Sequence, residues 1–213
     1  MPLSTTPLNK CMREHRWRAL LTLATGLLLA IVPNVQAQSS VRVAQANLDY
    51  LVQNARTIVR GNVVSAVLEP HPQFSNLQTV VVTIQVAKTL KGPAAPTTTF
   101  RQYVSNTKDA VGVGGYQKAE EILLFLNAES AYGLTSPVGM EQGLFRVVKD
   151  SRGNKFAMNG RRNIGLFTDV QTNALARGAV FSTQAKTMLT SGGGQVPLGT
   201  LEETIQALAG VRP

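Results

Sequence analysis

From Val80 to Ala87 the chain alternates without a break: Val80, Val82, Ile84 and Val86 fall on one side of an extended segment, and Val81, Thr83, Gln85 and Ala87 on the other. Successive side chains of a strand point to opposite faces, and β-branched residues suit a pleated, half-buried surface better than a helix. The segment therefore predicts an antiparallel strand with one face on a core, which restricts the domain to architectures built around a sheet.

Its neighbours carry the same signal. Ile58, Val59, Val63, Val64, Val67 and Leu68 predict a first strand from Thr57, interrupted by Gly61, a residue that marks a bulge or a close backbone approach within a strand. Glu69-Pro70-His71-Pro72 ends it, and the alternating strand starts near Leu77 and closes at Lys91-Gly92-Pro93. Thr97–Val104 reads as a third strand, followed by a polar, glycine-rich stretch from Ser105 to Lys118. Ile122–Leu126 is a short apolar run of the kind buried on both faces. Leu144–Lys149 and Lys155–Met158 flank Asp150-Ser151-Arg152-Gly153-Asn154, which predicts a hairpin.

Helical spacing is confined to the ends. Asn47–Arg56 sets Leu48, Leu51, Val52 and Ala55 on one face, with Asn47 as the cap. Near the C-terminus, Thr200 and Glu203 form a capping-box pair, Leu201, Ile205 and Leu208 make an apolar face, and Gly210 supplies the stop. Ala174–Leu189 reads as a broken helix or a surface excursion. The expected organisation is a mobile lead-in over 38–46, one β-rich domain over 47–190, a glycine-rich linker over 191–199 and a docked helix over 200–213. The fold class is mainly β, a β-rich α+β domain with a small antiparallel barrel or barrel-like sheet between the two helices.

The first 37 residues follow a different logic. Lys10, Arg13, Arg16 and Arg18 precede an apolar run from Ala19 to Val32, and Val35-Gln36-Ala37 places small residues where a signal peptidase cuts. The 14-residue run would span about 21 Å as a helix, short of a bilayer's hydrocarbon core of about 30 Å. A cleaved export signal is expected, with the cut between Ala37 and Gln38 and no transmembrane segment afterwards. Export implies a periplasmic or extracellular location. Removal leaves 176 of the 213 residues and takes the single cysteine, Cys11, and one of the two histidines, His15. A cysteine-free mature chain excludes disulfides, thiolate nucleophiles and metal sites, c-type haem attachment and lipoprotein acylation. The net charge falls from +9 to +6, a basic balance that fits solubility first and polyanion contact second.

The order of Ile58-Val59 with Gly61 and Val63, then Val86–Gly92 (VAKTLKG), Glu120–Leu126 (EEILLFL), and Gly139 with Gln142-Gly143, Phe145 and Val147 resembles a broad class of exported bacterial proteins. More distantly it is similar to the netrin/tissue-inhibitor-of-metalloproteinase type of OB barrel. That resemblance implies an OB-like sheet. It does not bring the inhibitors' mechanism with it, because they chelate a protease zinc through an N-terminal cysteine and cleavage here would expose Gln38.

Chemical motifs are sparse. Gly112-Val113-Gly114-Gly115 leads into a strand, whereas a phosphate-cradling loop opens a helix, so it reads as a flexible hairpin loop. Asp150–Asn154 lacks the ligand spacing and distal glutamate of a calcium loop and reads as a turn. His71, between two prolines, is expected in an exposed loop without a role; one histidine cannot build the usual zinc sites. Glu120 and Glu121 would point to opposite faces of a strand, and Asp109, Glu141, Asp150 and Asp169 stand apart, so no carboxylate pair for hydrolysis declares itself. The densest cluster is basic: Arg146, Lys149, Arg152, Lys155, Arg161 and Arg162 lie within 17 residues that hold one acid, Asp150. The expected function is a non-catalytic binding module for a protein or cell-envelope component, with no cofactor and no metal. The alternatives are polyanion or single-stranded nucleic-acid binding through the basic hairpin, and an unrecognised hydrolase.

Overall fold

The computed structural model describes residues 44–106 and 115–210. The expected signal with its Ala37–Gln38 junction, most of the lead-in, Asp109 and Gly112-Val113-Gly114 lie outside the described residues.

Two 14-residue strands, β1 (Thr57–Pro70) and β2 (Gln78–Lys91), pair antiparallel along their whole length, and β3 (Thr97–Tyr103) adds to β2. The first half of β1 also pairs with β4 (Glu121–Leu126), which continues through β5 (Leu144–Lys149) and β6 (Lys155–Asn159) to the two-residue β7 (Val196–Pro197). The result is one seven-stranded antiparallel sheet in the order β3-β2-β1-β4-β5-β6-β7. It is not closed into a barrel, because β3 and β7 stand at opposite ends of the order.

Register shifts in β1 at Ile58/Val59, Arg60/Gly61 and Val63/Ser65 bend the strand. Gly61 sits on one of them, where an added Cβ would lie 2.1 Å from the Gln85 carbonyl oxygen. The β4–β5 connection then reaches β3, where the Thr135 N–H donates to the Arg101 carbonyl at 2.9 Å. β1 runs through Pro70, held by pairing with β2 that continues to Pro70 opposite Gln78.

Both faces of the sheet are apolar. Four helices cover one: α1 (Leu48–Asn54), α2 (Val170–Ala176), α3 (Thr183–Leu189) and α4 (Leu198–Gly210). Their Leu51, Val52, Val170, Ala185, Leu201, Ile205 and Leu208 meet Ile58, Leu123, Phe125, Phe145 and Ala157 of the strands. The second cluster contains Val59, Val63, Val80, Val82, Ile84, Phe100, Tyr116, Ile122, Leu124 and Leu126, with no helical residue. β4 alternates between the two clusters, which is why its whole apolar run is buried.

Local chemistry fixes the helix ends. The Asn47 side chain accepts from the Tyr50 N–H at 2.9 Å at the start of α1, and Lys91 Nζ donates to the Val52 and Gln53 carbonyls at 2.6 and 3.2 Å at its end. Burial lowers the Lys91 ammonium, with Arg56 adding repulsion. α4 begins at Leu198, so Thr200 lies inside its first turn and is not the cap, and its carbonyl accepts from Thr204 Oγ1 at 2.7 Å. The expected linker contains β7, which pairs with β6 and immediately precedes α4. Residues 170–189 form two short helices rather than one.

Candidate binding surfaces

The six basic residues do not form one patch. Across the β5–β6 hairpin, Arg146 is opposite Met158 and Lys149 is opposite Lys155. Residues an odd number apart on β5 take opposite faces, so Arg146 and Lys149 are separated by the sheet. Arg146 is ion-paired with Glu120 and donates to the Gly115 carbonyl at 2.9 Å. Lys155 donates to both Glu121 oxygens, at 2.7 and 2.8 Å, and Arg161 Nε to Glu141 at 2.7 Å. Among the described residues, the Lys149, Arg152 and Arg162 side chains meet no carboxylate within ion-pair distance.

The helix-covered face ends in a charge network that local sequence does not announce. Arg60 on β1 joins Glu121 on β4 and Glu202 on α4, both at 2.6 Å; Lys88 on β2 reaches the other Glu202 oxygen at 2.7 Å, and Lys155 on β6 completes the chain. Burial by itself would lower the Arg60 guanidinium, but its hydrogen bonds to Glu121 and Glu202 outweigh that and raise it. Burial would likewise raise the Glu121 carboxyl, and the hydrogen bonds from Lys155 and Arg60 hold it below its ordinary value. A groove of about 760 Å³ opens above this network, lined by Arg60, Lys118, Glu121, Val147, Lys149 and Lys155 among others.

Two further grooves meet at the other end of β4. One, of about 290 Å³, is lined by Gln102, Tyr103, Asn127, Leu134 and Met140; the other, of about 460 Å³, by Ala44, Tyr50, Asn127, Val138 and Met140. Tyr50, Tyr103 and Met140 are each about half exposed, at 53, 52 and 50%. Met140 follows Gly139 in a turn where both residues are left-handed, with φ of 58° and 62°. For a non-glycine residue that conformation costs about 1–2 kcal/mol. Buried Gln142 holds the turn: its Oε1 accepts from the Ala46 N–H at 2.8 Å, and its Nε2 donates to the Ala44 and Gly139 carbonyls at 2.9 and 3.3 Å.

Other singled-out residues have structural work. His71 is 3% exposed, which corrects the expectation of an exposed loop residue without a role. Its Nδ1 accepts from the Gln73 N–H at 3.2 Å, so Nε2 carries the hydrogen given to the Tyr132 carbonyl at 2.8 Å, and the ring stacks on Phe74. The β1–β2 and β4–β5 connections bury it between them, a contact that a Pro-His-Pro string cannot reveal. Buried Asn159 and Asn163 exchange backbone-to-side-chain hydrogen bonds at 2.9 and 2.8 Å, and Asn163 Nδ2 also reaches the Gly194 carbonyl at 2.7 Å. Asp150 closes the hairpin turn by accepting from Asn154 and from the Arg152 N–H, and these bonds, led by the Asn154 side chain, lower its carboxyl. Burial raises the Tyr116 phenol, which donates to Gln102 at 2.9 Å.

Among the described residues, no three histidine, cysteine, aspartate or glutamate side chains come together in a way that could hold a metal ion, and no helix is long and apolar enough to cross a membrane. Glu120 and Glu121 do face opposite sides, one toward Arg146 and the other toward Arg60 and Lys155. The chain matches no protein-family model, no curated protein sequence and no solved structure.

Proposed function

We propose that the chain is an exported, non-catalytic binding module that holds a protein component of the cell envelope against Tyr50, Tyr103 and Met140. The observation that carries this reading is Met140: a flexible apolar side chain, half exposed, kept in a left-handed turn at the junction of two grooves. Strained backbone persists where surrounding contacts over-determine it, and such positions cluster at functional sites. Tyrosine and methionine are also the residue types enriched in the cores of protein interfaces, because they bring large contact area that adapts to a partner. The bulge at Gly61 in β1, a strand shared between β2 and β4, is the kind of bend that small barrels use at their corners, in a sheet that does not close.

Site-specific photo-crosslinking tests the reading. A crosslinker at Tyr50, Tyr103 or Met140, in cells that export the protein, is expected to trap one common partner. The same group at Val180, which is 84% exposed and lines neither groove, is expected to trap none of it. Equal yields from Val180 and Tyr103, or three unrelated sets of products, would refute it.

A second reading, polyanion binding, is favoured by one observation: Lys149 faces Lys155 across the hairpin, while the carboxylate paired with Lys155, Glu121, is shared with Arg60.

A further inference from the structure

We infer that the groove at the Glu121 end of β4 is a second binding site, and that it takes an acidic polypeptide segment. It is separate from the tyrosine–methionine surface, since the two lie at opposite ends of a six-residue strand, about 17 Å apart. The inference does not rest on the function proposed for that surface.

Charge is the first argument. Arg60, Lys88, Lys118, Lys149 and Lys155 stand on or beside the groove, and the carboxylates in the same network are Glu121 and Glu202, so five cations meet two anions and leave an excess of three. Glu120 also lines the groove but is ion-paired with Arg146. Asp150, next to Lys149, keeps its charge because its hydrogen-bond donors in the hairpin turn are neutral, and counting it leaves an excess of two. A positive concavity with low-dielectric walls concentrates field and attracts anions.

Placement is the second. Like charges directly opposite each other across an antiparallel pair are destabilising, and Lys149 and Lys155 are such a pair with a single shared-out carboxylate nearby. Lys118, also in the lining, is carried by a tight turn in which Ala119 has φ of 67°. That turn is pinned to β1 by the Ala119 N–H donating to the Val63 carbonyl at 2.8 Å and the Val63 N–H to the Glu120 carbonyl at 2.9 Å. Two exposed lysines, Lys118 and Lys149, thus line the same groove as the Arg60–Glu121–Lys155 salt bridges.

The lining selects among anions. It holds no aromatic residue, so there is no platform on which nucleobases could stack. Ala87 and Val147 add apolar surface to it, which aliphatic side chains of a peptide can cover and a phosphate or sugar chain cannot. Glu121 in the lining repels a dianionic phosphate more than a monoanionic carboxylate.

The test is fluorescence-anisotropy titration of the domain with a labelled octapeptide of alternating glutamate and valine, beside a short polyphosphate and an oligothymidylate of equal charge, at low and physiological salt. The expected result is tightest binding of the peptide, weakening with salt, and a loss of about 30-fold or more in the Lys118→Glu/Lys149→Glu variant. The Arg56→Glu/Lys186→Glu variant changes net charge equally outside the groove and is expected to stay within about 3-fold of the parent. All of these side chains are exposed, and unchanged thermal melting confirms that folding is intact. Equal losses in both variants, no peptide binding at low salt, or tighter binding of polyphosphate or oligothymidylate would overturn the inference.

Discussion

Replacing Glu202 by glutamine tests whether the ion network, and not apolar contact alone, fixes α4 on the sheet. Glu202 is 6% exposed and accepts from Arg60 Nε at 2.6 Å and Lys88 Nζ at 2.7 Å. Glutamine keeps the shape and one acceptor but removes the charge. A hydrogen bond to a charged group contributes about 1.5–3 kcal/mol against about 1 for a neutral one, so weakening the Arg60 bond costs about 1–2 kcal/mol. Lys88, whose side chain is 37% exposed, recovers water and adds about 0.5 kcal/mol or less. Arg60 is not stranded, because Glu121 still holds it at 2.6 Å, so the cost stays below the 3–5 kcal/mol of isolating a buried charge. The expected total is about 2 kcal/mol, or about 4–8 °C in Tm for a domain of this size. Urea titration measures it, with an unchanged slope showing that the unfolded reference is the same. A loss under about 0.5 kcal/mol, or a gain, would refute the reasoning and leave the fully buried Leu201, Ile205 and Leu208 as the whole of the α4 attachment.

Three further outcomes follow from the packing. Gly61→Ala forces a Cβ against the Gln85 carbonyl oxygen and Ile84, at 2.1 and 2.7 Å, and is expected to cost about 3 kcal/mol or more, read by chemical denaturation. Gln142→Ala strands the buried Ala46 N–H and frees Ala44, so the Ala46 amide is expected to exchange at least about tenfold faster in hydrogen-exchange measurements, for a local cost of about 2 kcal/mol. The Glu121 carboxyl is held below its unfolded value of about 4.3, so its contribution is complete above that pH and is lost as pH falls through the folded value. The parent is therefore expected to lose stability more steeply below about pH 4.3 than Glu121→Gln, and parallel urea midpoints across that range would contradict this.

The strands were legible because each carries its own periodicity. Val80, Val82 and Ile84 are buried on one face as their alternation requires, and the run Ile122–Leu126 is buried on both faces because β4 separates two cores. Gly61 marked a close approach that the Gln85 carbonyl supplies. What escaped was non-local. β7 is two residues long and exists through its pairing with Phe156 and Ala157, so no pattern within it could reveal a strand. The sequence-dense basic cluster is dispersed because alternation along β5 sends Arg146 and Lys149 to opposite faces, while Arg60, Lys88, Glu121 and Glu202, scattered along the chain, are brought together by register. Tyr50, Tyr103 and Met140 likewise lie far apart in sequence, and no spacing rule links them. The one available hint was the Gly139-Met140 step, where a glycine precedes the turn that displays the methionine.

The affinity of the crosslinked partner for the Tyr50→Ala/Tyr103→Ala/Met140→Gly variant tests the central claim most directly. Anchors at an interface core each cost about 1–2 kcal/mol or more on truncation, so the Kd is expected to rise at least about 30-fold. Because the three side chains are half exposed, Tm is expected to hold within a few degrees or rise as glycine relieves the left-handed strain at Met140. A Kd within about threefold of the parent, with folding intact, would show that this surface is not where the partner binds.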